Sequence, residues 1–277
     1  MKNKVLTGLL LVLIGGWGSL SAQSAGSNYS RQVNTLIGTK GVGLTSGYLY
    51  PGATYPYGMV QFTPSYFSKR SGFVINQLSG GGCEHMGNFP TFPVKGKLKM
   101  SPDNILNYRI NISEEKGHAG YYEAMVQEDI KAKLTVTERT GMASYEYPAD
   151  QQYGTVIIGG GISATPIEQA AIVITAPNKC EGYAEGGNFC GLRTPYKVYF
   201  VAEFDTDALE SGTWKRNELK PNTTFAEGEY SGVYFTFDVN KKKNIQYKIG
   251  VSYVSVENAR ENHKQRPAGI SALLHSP

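Results

Sequence analysis

The sequence predicts an all-β protein folded as a large antiparallel β-sandwich. Several segments place apolar residues at every second position, the period of a strand with one face in the core and one in water. Gly, Pro, Asn and Asp separate these segments, as turns require, and no stretch before residue 255 shows the 3.6-residue period of a long helix. Many strands without alternating helices favour an antiparallel sandwich over a parallel α/β sheet.

Eight segments are the candidate strands. Residues 130–136 and 247–253 alternate regularly, which predicts strands with one wet face. Residues 198–204 are apolar on both faces, which predicts a strand covered on both sides. In chain order the candidates are residues 59–62, 121–126, 130–136, 142–147, 156–158, 198–204, 235–239 and 247–253.

The end of the chain has a different character. Residues 256–264 could begin a helix, but Pro267 and Gly269 would end it early, at a length that is not stable in isolation. We therefore predict one sandwich domain over residues 30–256, followed by residues 257–277 as a truncated linker and divergent tail.

The beginning of the chain has the layout of a secretory signal peptide. Lys2 and Lys4 precede the apolar run 5–14, and small residues lead to a cleavage site after Ala22. The apolar run is about half of the roughly 20 residues that a membrane-spanning helix needs. Residues 1–22 are thus predicted to be removed, which implies a periplasmic or secreted protein with no membrane span.

Composition excludes two classes of protein. The chain has 27 basic and 23 acidic side chains, a net charge of +4, so nothing suggests a nucleic-acid partner. Only 18% of residues are charged and 12% are aromatic, which excludes disorder for the bulk of the chain.

Three cysteines are present in a chain whose export would permit disulfides. Cys180 and Cys190 flank the glycine-rich residues 181–189 and form the candidate disulfide, although spacing alone does not determine which cysteines pair. Cys83 would then be left over. No CxxC pair exists and the four histidines are scattered, so no metal site is predicted.

Two segments invite a chemical interpretation. Residues 33–62 are dense in Gly, Pro and aromatic residues, and residues 78–90 contain three successive glycines followed by Cys83, Glu84 and His85. Successive glycines allow a backbone to approach a ligand closely, but glycine-rich turns in β proteins also serve geometry alone, and both interpretations remain open. A thiol protease is disfavoured, because no Asn or Asp that would orient a Cys83–His85 pair can be identified.

Six motifs occur in order along the chain. They are Val33-Asn34-x-x-Ile37-Gly38-Thr39; Tyr50-Pro51-Gly52-Ala53-Thr54-x-Pro56-x-Gly58-Met59-Val60-Gln61-x-x-Pro64; Leu78-Ser79-Gly80-x-Gly82-Cys83; Gly120-Tyr121-Tyr122; Thr137-Glu138-Arg139-x-Gly141; and Gly250-Val251-Ser252-Tyr253-Val254-Ser255 to Asn258-Ala259-Arg260. Together they resemble glycoside hydrolase family 92, and the resemblance covers about residues 32–260.

The resemblance implies an architecture and an activity. Members of this family are exported exo-α-mannosidases that trim mannose from glycans with inversion and require calcium. An N-terminal β-sandwich, of the galactose-mutarotase-like supersandwich type that binds carbohydrate, is followed by an (α/α) barrel, with the active site between them. Inversion needs two carboxyl groups about 6.5–9.5 Å apart. In the family these groups and most calcium ligands come from the barrel. The implied partners are therefore a mannose-containing glycan and the missing barrel, with no catalytic residue and no calcium held by this chain alone.

The resemblance also implies which residues approach the sugar. The candidate substrate-binding residues are Gly82, Cys83, Glu84, His85 and Asn88 on one loop, with Tyr48 or Tyr50 stacking on a ring face. The alternatives are a salt bridge for Glu84, an inter-domain packing contact for His85, and a small packed thiol for Cys83.

Two departures from the family pattern leave questions open. Residues 261–277 stop resembling the family, which indicates a frameshift, a gene break or a natural short form. In residues 68–76, Lys69, Arg70 and Phe73 stand where many relatives carry a Trp- or Tyr-rich segment, so the mannose linkage preference stays open.

Three functions are therefore compatible with the sequence. The first is a catalytically silent N-terminal domain of a mannosidase, and the second is a free-standing carbohydrate-binding module. The third is an independent enzyme, for which no spacing argument selects a pair of carboxylates. Its candidate carboxylates are Glu84, Glu123, Glu138, Asp205 and Asp207.

Overall fold

The computed structural model describes residues 29–39, 49–65, 72–102 and 111–264. The predicted signal peptide (1–22), Tyr48 and residues 265–277 of the tail lie outside the described residues. Within them, the strands are β1 (Ala53–Thr54), β2 (Gln61–Pro64), β3 (Phe73–Val74), β4 (Thr91–Lys95), β5 (Ile112–His118), β6 (Tyr121–Val126), β7 (Ile130–Val136), β8 (Thr140–Glu146), β9 (Tyr153–Gly159), β10 (Ile167–Ala176), β11 (Lys179–Phe189), β12 (Leu192–Phe204), β13 (Glu210–Lys215), β14 (Glu218–Pro221), β15 (Phe225–Glu227), β16 (Ser231–Asp238) and β17 (Asn244–Ser252). A 3-10 helix (Tyr29–Gln32) and the helix α1 (Val256–Lys264) complete the described elements.

The strands form two antiparallel sheets, which confirms the predicted all-β sandwich. One sheet has eight described strands in the order β1-β2-β3-β4-β9-β16-β13-β14, and the other has nine in the order β15-β10-β11-β12-β17-β8-β7-β6-β5. Each of the eight segments predicted from alternation overlaps one of these strands. Among the described residues, no helix is both long enough and apolar enough to cross a membrane.

Aromatic rings fill the space between the two sheets. Phe204 of β12 lies with its ring centroid 4.9 Å from that of Phe235 and 5.0 Å from that of Phe237, both on β16. The Tyr247 hydroxyl on β17 donates to Thr91 Oγ1 on β4 at 2.7 Å. These contacts join one sheet to the other, so the alternating apolar faces that the sequence shows meet in one core.

Helix α1 is fixed on the outer face of the nine-stranded sheet. Ser255 caps its first turn by accepting from the Asn258 amide at 3.2 Å. Gly250 allows the close approach, because a Cβ there would lie 2.7 Å from both Ala259 O and His263 Cβ. Arg260 donates through Nε to Glu181 Oε2 of β11 at 2.9 Å. The helix predicted at residues 256–264 is therefore confirmed, and it packs on the sandwich instead of standing apart from it.

Acid should destabilise the protein through His263, whose imidazole is buried between α1 and the sheet. Burial, with Lys248 of β17 and Lys179 of β11 nearby, lowers the pKa of His263 to about 4, although Glu203 of β12 acts in the opposite direction. An unfolded histidine titrates near 6.5, so below that pH the unfolded chain binds the extra proton. The neutral His263 therefore contributes its full share to the free energy of unfolding above about pH 6.5. As the pH drops towards 4, the free energy of unfolding falls by up to about 3 kcal/mol.

Urea unfolding at pH 7.5 and pH 4.5 measures this effect. The His263→Gln variant should lose less stability between the two pH values than the parent chain does. His118→Gln is the matched control, because His118 is exposed. If all three proteins lost the same free energy of unfolding between the two pH values, His263 would not be the cause of the acid sensitivity.

Candidate functional site

One end of the sandwich gathers the segments that the sequence analysis singled out. Residues 76–90, termed here the glycine loop, connect β3 to β4 at this end. The Met59 amide donates to Glu138 O at 2.6 Å, and the Val251 amide donates to Arg139 O at 3.1 Å. These bonds bring together the turn before β2, the β7–β8 turn and the end of β17, and the bond from Asn76 Nδ2 to the Tyr253 hydroxyl at 3.1 Å joins them to the loop. This end of the molecule is termed the loop end.

The cysteine pairing differs from the sequence prediction. Cys83 of the glycine loop is bonded to Cys190 in the β11–β12 turn, with 5.4 Å between the Cα atoms. The predicted Cys180–Cys190 pair is wrong, because Cys180 lies near the start of β11 and Cys190 directly follows its end. Ten residues of strand span about 30 Å, whereas a disulfide needs Cα atoms within about 7 Å. Cys180 is a buried free thiol whose pKa is raised by that burial.

His85 holds the glycine loop together from inside. Its ring Nδ1 donates to Cys83 O at 2.7 Å, and its Nε2 accepts from the Leu78 amide at 2.8 Å, a tautomer assigned from the bonding pattern. The ring is only 1% exposed and meets Phe189 of β11 edge-on, with centroids 5.4 Å apart. Both ring nitrogens are thus engaged with the loop backbone, so His85 stabilises the conformation of the loop.

Asn88 is the centre of a buried hydrogen-bond network. Its side-chain Oδ1 accepts from Asn76 Nδ2 at 3.0 Å and from the Tyr196 hydroxyl of β12 at 2.6 Å. Asn76 Nδ2 also donates to the Tyr253 hydroxyl at 3.1 Å, and Asn76 Oδ1 accepts from the Asn88 amide at 2.8 Å. Burial raises the pKa of Tyr196, which keeps its hydroxyl available as a donor. The network ties the glycine loop to the nine-stranded sheet and to the segment that enters α1.

The turn around Asn88 has a strained backbone. Met86 and Phe89 have φ values of 48° and 52°, in the left-handed region that favours glycine, and Gly87 between them has a φ of 75°. Each non-glycine residue there costs roughly 1–2 kcal/mol. The Gly87 amide donates to Asn76 O at 2.7 Å, and the Ala164 amide donates to Met86 O at 2.8 Å. Such strain persists only where surrounding contacts hold it, which is typical of functional loops.

The tip of the glycine loop faces solvent. Gly82 and Glu84 are exposed, Cys83 is half-buried, and Asn88 is fully buried. Half-buried Tyr50 lies in a neighbouring cleft of about 310 Å³. The described residues lining that cleft include Thr35, Tyr50, Ser79 and His118. The structure therefore brings Gly82–His85 and Tyr50 to one end of the molecule, while Asn88 supports the loop from beneath.

Many of the exposed apolar side chains in the described chain also lie at the loop end. Tyr57 is fully exposed at the tip of a turn that is closed by the Gly58 amide donating to Tyr55 O at 3.0 Å. The exposed apolar residues at this end are Ile37, Tyr55, Tyr57, Leu78, Phe189, Leu192, Tyr253 and Val254. An apolar concentration of this kind is typical of an interaction surface or a ligand-binding groove.

Two of the candidate carboxylates of an independent glycosidase lie far from the glycine loop. Asp205 and Asp207 follow β12 at the end opposite Cys190, so thirteen residues of strand, about 40 Å, separate them from Glu84. That distance far exceeds the separation of about 6.5–9.5 Å that inversion requires. Asp205 is also ion-paired with Lys242 at 2.8 Å.

Glu123 has the electrostatic environment of a structural carboxylate. Burial alone would raise its pKa, but the 2.7 Å hydrogen bond from Tyr121 and the charge of Lys131 outweigh burial and lower it. A general acid needs a raised pKa, so Glu123 is unsuited to that role.

The described residues contain no cluster of His, Cys, Asp and Glu side chains that could hold a metal ion. No three His, Cys, Asp or Glu side chains in these ranges come together as ligands of one ion. Calcium therefore stays a prediction for a complete enzyme.

Comparison with known proteins identifies relatives of this sandwich. The model of the glycosyl hydrolase family 92 N-terminal domain matches residues 32–252. A curated relative from the fungus Arthroderma benhamiae, described as an uncharacterized secreted glycosidase, is 24% identical over 276 residues, which cover 86% of this chain and 35% of the relative.

Solved structures share the fold. The family GH92 alpha-mannosidase BT3965 from Bacteroides thetaiotaomicron superposes with a TM-score of 0.72 at 24% identity, over 85% of this chain and 34% of that chain. The gh92 family glycosyl hydrolase ccman5 gives a TM-score of 0.74 at 22% identity, over 84% of this chain and 34% of that chain. The chain thus spans about a third of the length of the relatives that it matches.

Proposed function

Because this chain belongs to glycosyl hydrolase family 92, through that family's N-terminal domain, we propose that it forms one wall of the mannose pocket in an exported exo-α-mannosidase. The substrate would be a mannose-containing glycan. A barrel domain would supply the acid and base carboxylates and the calcium site, so the chain alone would be inactive. Its cellular place would be the periplasm or the exterior, as the secreted relative suggests.

One observation carries this proposal: the glycine loop and the exposed apolar side chains occupy the same end of the sandwich. The loop is held by the Cys83–Cys190 bond, by His85 and by the Asn88 network, which leaves Gly82 and Glu84 at its exposed tip. A rigid loop can position a sugar without losing much conformational entropy on binding. The apolar residues around it would be covered by the barrel.

In this arrangement the chain's own residues bind and orient the sugar. The exposed Glu84 carboxylate would accept hydrogen bonds from sugar hydroxyls, and the backbone at Gly82 would permit close approach. Tyr50 would offer a ring face to the pyranose. Protonation of the leaving oxygen and activation of water would belong to the barrel's carboxylates.

Dye binding tests whether the loop end is a docking surface. We expect the purified chain to bind a fluorescent apolar dye, and we expect Tyr55→Ser/Tyr57→Ser to bind markedly less, because these rings are exposed on a turn at that end. Phe225→Ser is the matched control, since Phe225 is exposed on the edge strand β15. A monodisperse monomer that binds no dye would argue against a covered surface, as would an equal loss in the control.

A direct assay tests the predicted inactivity. The pure chain should not hydrolyse an aryl α-mannoside even when calcium is added. Measurable turnover, retained after a second purification step, would show that the chain carries its own catalytic carboxylates.

A free-standing carbohydrate-binding module is the second candidate function. The cleft of about 310 Å³ favours it, because Tyr50 and His118 provide rings while Thr35 and Ser79 provide hydroxyls, a mixture suited to a sugar. Calorimetry with mannosides tests this function. Micromolar affinity of the isolated chain would support a module, whereas no heat at millimolar sugar would exclude it.

A further inference from the structure

Three buried polar side chains, two in the glycine loop and one in the β9–β10 connection, have atoms without a hydrogen-bond partner. In the part of the chain that the structure describes, neither amide atom of Gln77 is bonded, nor is Asn88 Nδ2 or Thr165 Oγ1. Gln77 is 1% exposed, Asn88 is 0% exposed and Thr165 is 9% exposed. Buried polar groups in folded proteins are almost always bonded to protein or to ordered water, so these four atoms require an explanation.

The Gln77 side chain and Ala164 lie beside Gly87. Gln77 Nε2 is 3.8 Å from the position that a Cβ on Gly87 would take, and Ala164 Cβ is 3.5 Å from the same point. Asn88 and Thr165 are the next residues along the chain from Gly87 and Ala164. The Ala164 amide also donates to Met86 O at 2.8 Å, which joins the β9–β10 connection to the loop. The unbonded atoms therefore belong to two segments that meet at one place.

The orientation of the Asn88 amide is determined by its neighbours. Asn76 Oδ1 accepts from the Asn88 backbone amide, so Asn76 must present its Nδ2 donor to the Asn88 side chain. Rotating the Asn88 amide would place two N–H groups against each other, because an NH₂ group cannot accept. Asn88 Nδ2 consequently points away from this network as a donor that needs an acceptor.

We propose that Gln77, Asn88 and Thr165 bind one or two ordered water molecules beneath Gly87. A water oxygen accepts from Asn88 Nδ2 and Gln77 Nε2, and its hydrogens reach Gln77 Oε1 and Thr165 Oγ1. Buried waters typically make two to four such bonds, so one or two water molecules suffice for the four atoms. Gly87 contributes by the absence of a side chain, which would enter this space. The bound water joins the strained turn to the β9–β10 connection and so forms part of the loop's rigid support.

A crystal structure of the chain at about 1.5 Å resolution tests the site directly. We expect density for water about 2.7–3.2 Å from Asn88 Nδ2 and from at least one amide atom of Gln77. A site without water density, with the amides still unbonded or bonded to protein groups, would overturn the proposal.

A second test is whether the Gln77→Met substitution lowers or raises the melting temperature. In Gln77→Met the bound water loses partners, and Asn88 and Thr165 lose their bridge, so the melting temperature should fall by about 3–6 °C. If Gln77 were a truly unbonded amide, methionine of similar shape would leave the melting temperature unchanged or raise it. Gln169→Met, at an exposed position on β10, is the matched control and should shift it by less than about 1 °C.

If Gln77→Met does not fold, the Thr165→Val variant tests the same site. It removes one polar partner at similar volume, and it should lower the melting temperature by about 2–4 °C. An unchanged or raised melting temperature in either folded variant would contradict a water-bridged site.

Discussion

Breaking the Cys83–Cys190 bond is expected to lower the free energy of unfolding by about 3–5 kcal/mol. The bond joins residues 107 positions apart, and a closed loop of about that length restricts the unfolded chain by nearly 5 kcal/mol in the chain-entropy model. The glycine loop would also lose its disulfide to the β11–β12 turn, the only disulfide among the described residues. Guanidinium unfolding of Cys83→Ser/Cys190→Ser beside the parent chain measures the loss.

Reductant supplies the matched control for this prediction. Added reductant should destabilise the parent chain and should leave the double variant unchanged. Thiol titration of the unfolded protein should rise from one thiol to three on reduction, since Cys180 is free in both states. A parent chain that reaches three thiols without losing stability would contradict the prediction.

Replacing Asn88 by leucine is expected to cost about 3 kcal/mol of stability. Leucine has a similar shape but accepts no hydrogen bond, so the Tyr196 hydroxyl loses its acceptor and Asn76 Nδ2 keeps only Tyr253. A buried donor left unbonded costs about 1–3 kcal/mol. Urea unfolding of the purified variant measures the difference.

A double-mutant cycle isolates the Asn88–Tyr196 bond. Tyr196→Phe alone should cost about 1 kcal/mol, and it should cost much less when Asn88→Leu is already present. Additive losses would mean that the two side chains do not interact, contrary to the 2.6 Å distance between them.

The strands that the sequence predicts are those with a regular alternation. β7 has one face in the core, whereas β12 and the last residues of β17 are covered on both faces, because α1 packs on their outer side. The β10–β11 hairpin is missed by this criterion. In β11 three glycines and two glutamates interrupt the apolar pattern, although the strand pairs along almost its whole length. Pairing with neighbouring strands, which no local pattern records, stabilises it.

The candidate site is predicted only in its local part. Residues 82–85 are adjacent in the sequence and suggest a ligand-binding loop, and the resemblance to the family points to the same residues. Their support comes from distant positions: Asn76 and Tyr253 are 177 residues apart, and Cys83 and Cys190 are 107 apart. Spacing carries no signal for such contacts, which explains why the cysteine pairing was wrong and why Asn76, Tyr196 and Tyr253 were missed.

The most direct test of the account is amide NMR of the isotope-labelled chain titrated with methyl α-mannoside. The account predicts weak binding, with a dissociation constant on the order of millimolar, and shifts concentrated at the exposed loop residues Gly82 and Glu84. Methyl α-galactoside should cause much smaller shifts at equal concentration. A mannoside titration that leaves the glycine loop unperturbed, or that shifts the opposite end near Asp205 instead, would contradict the claim that the loop end meets the sugar.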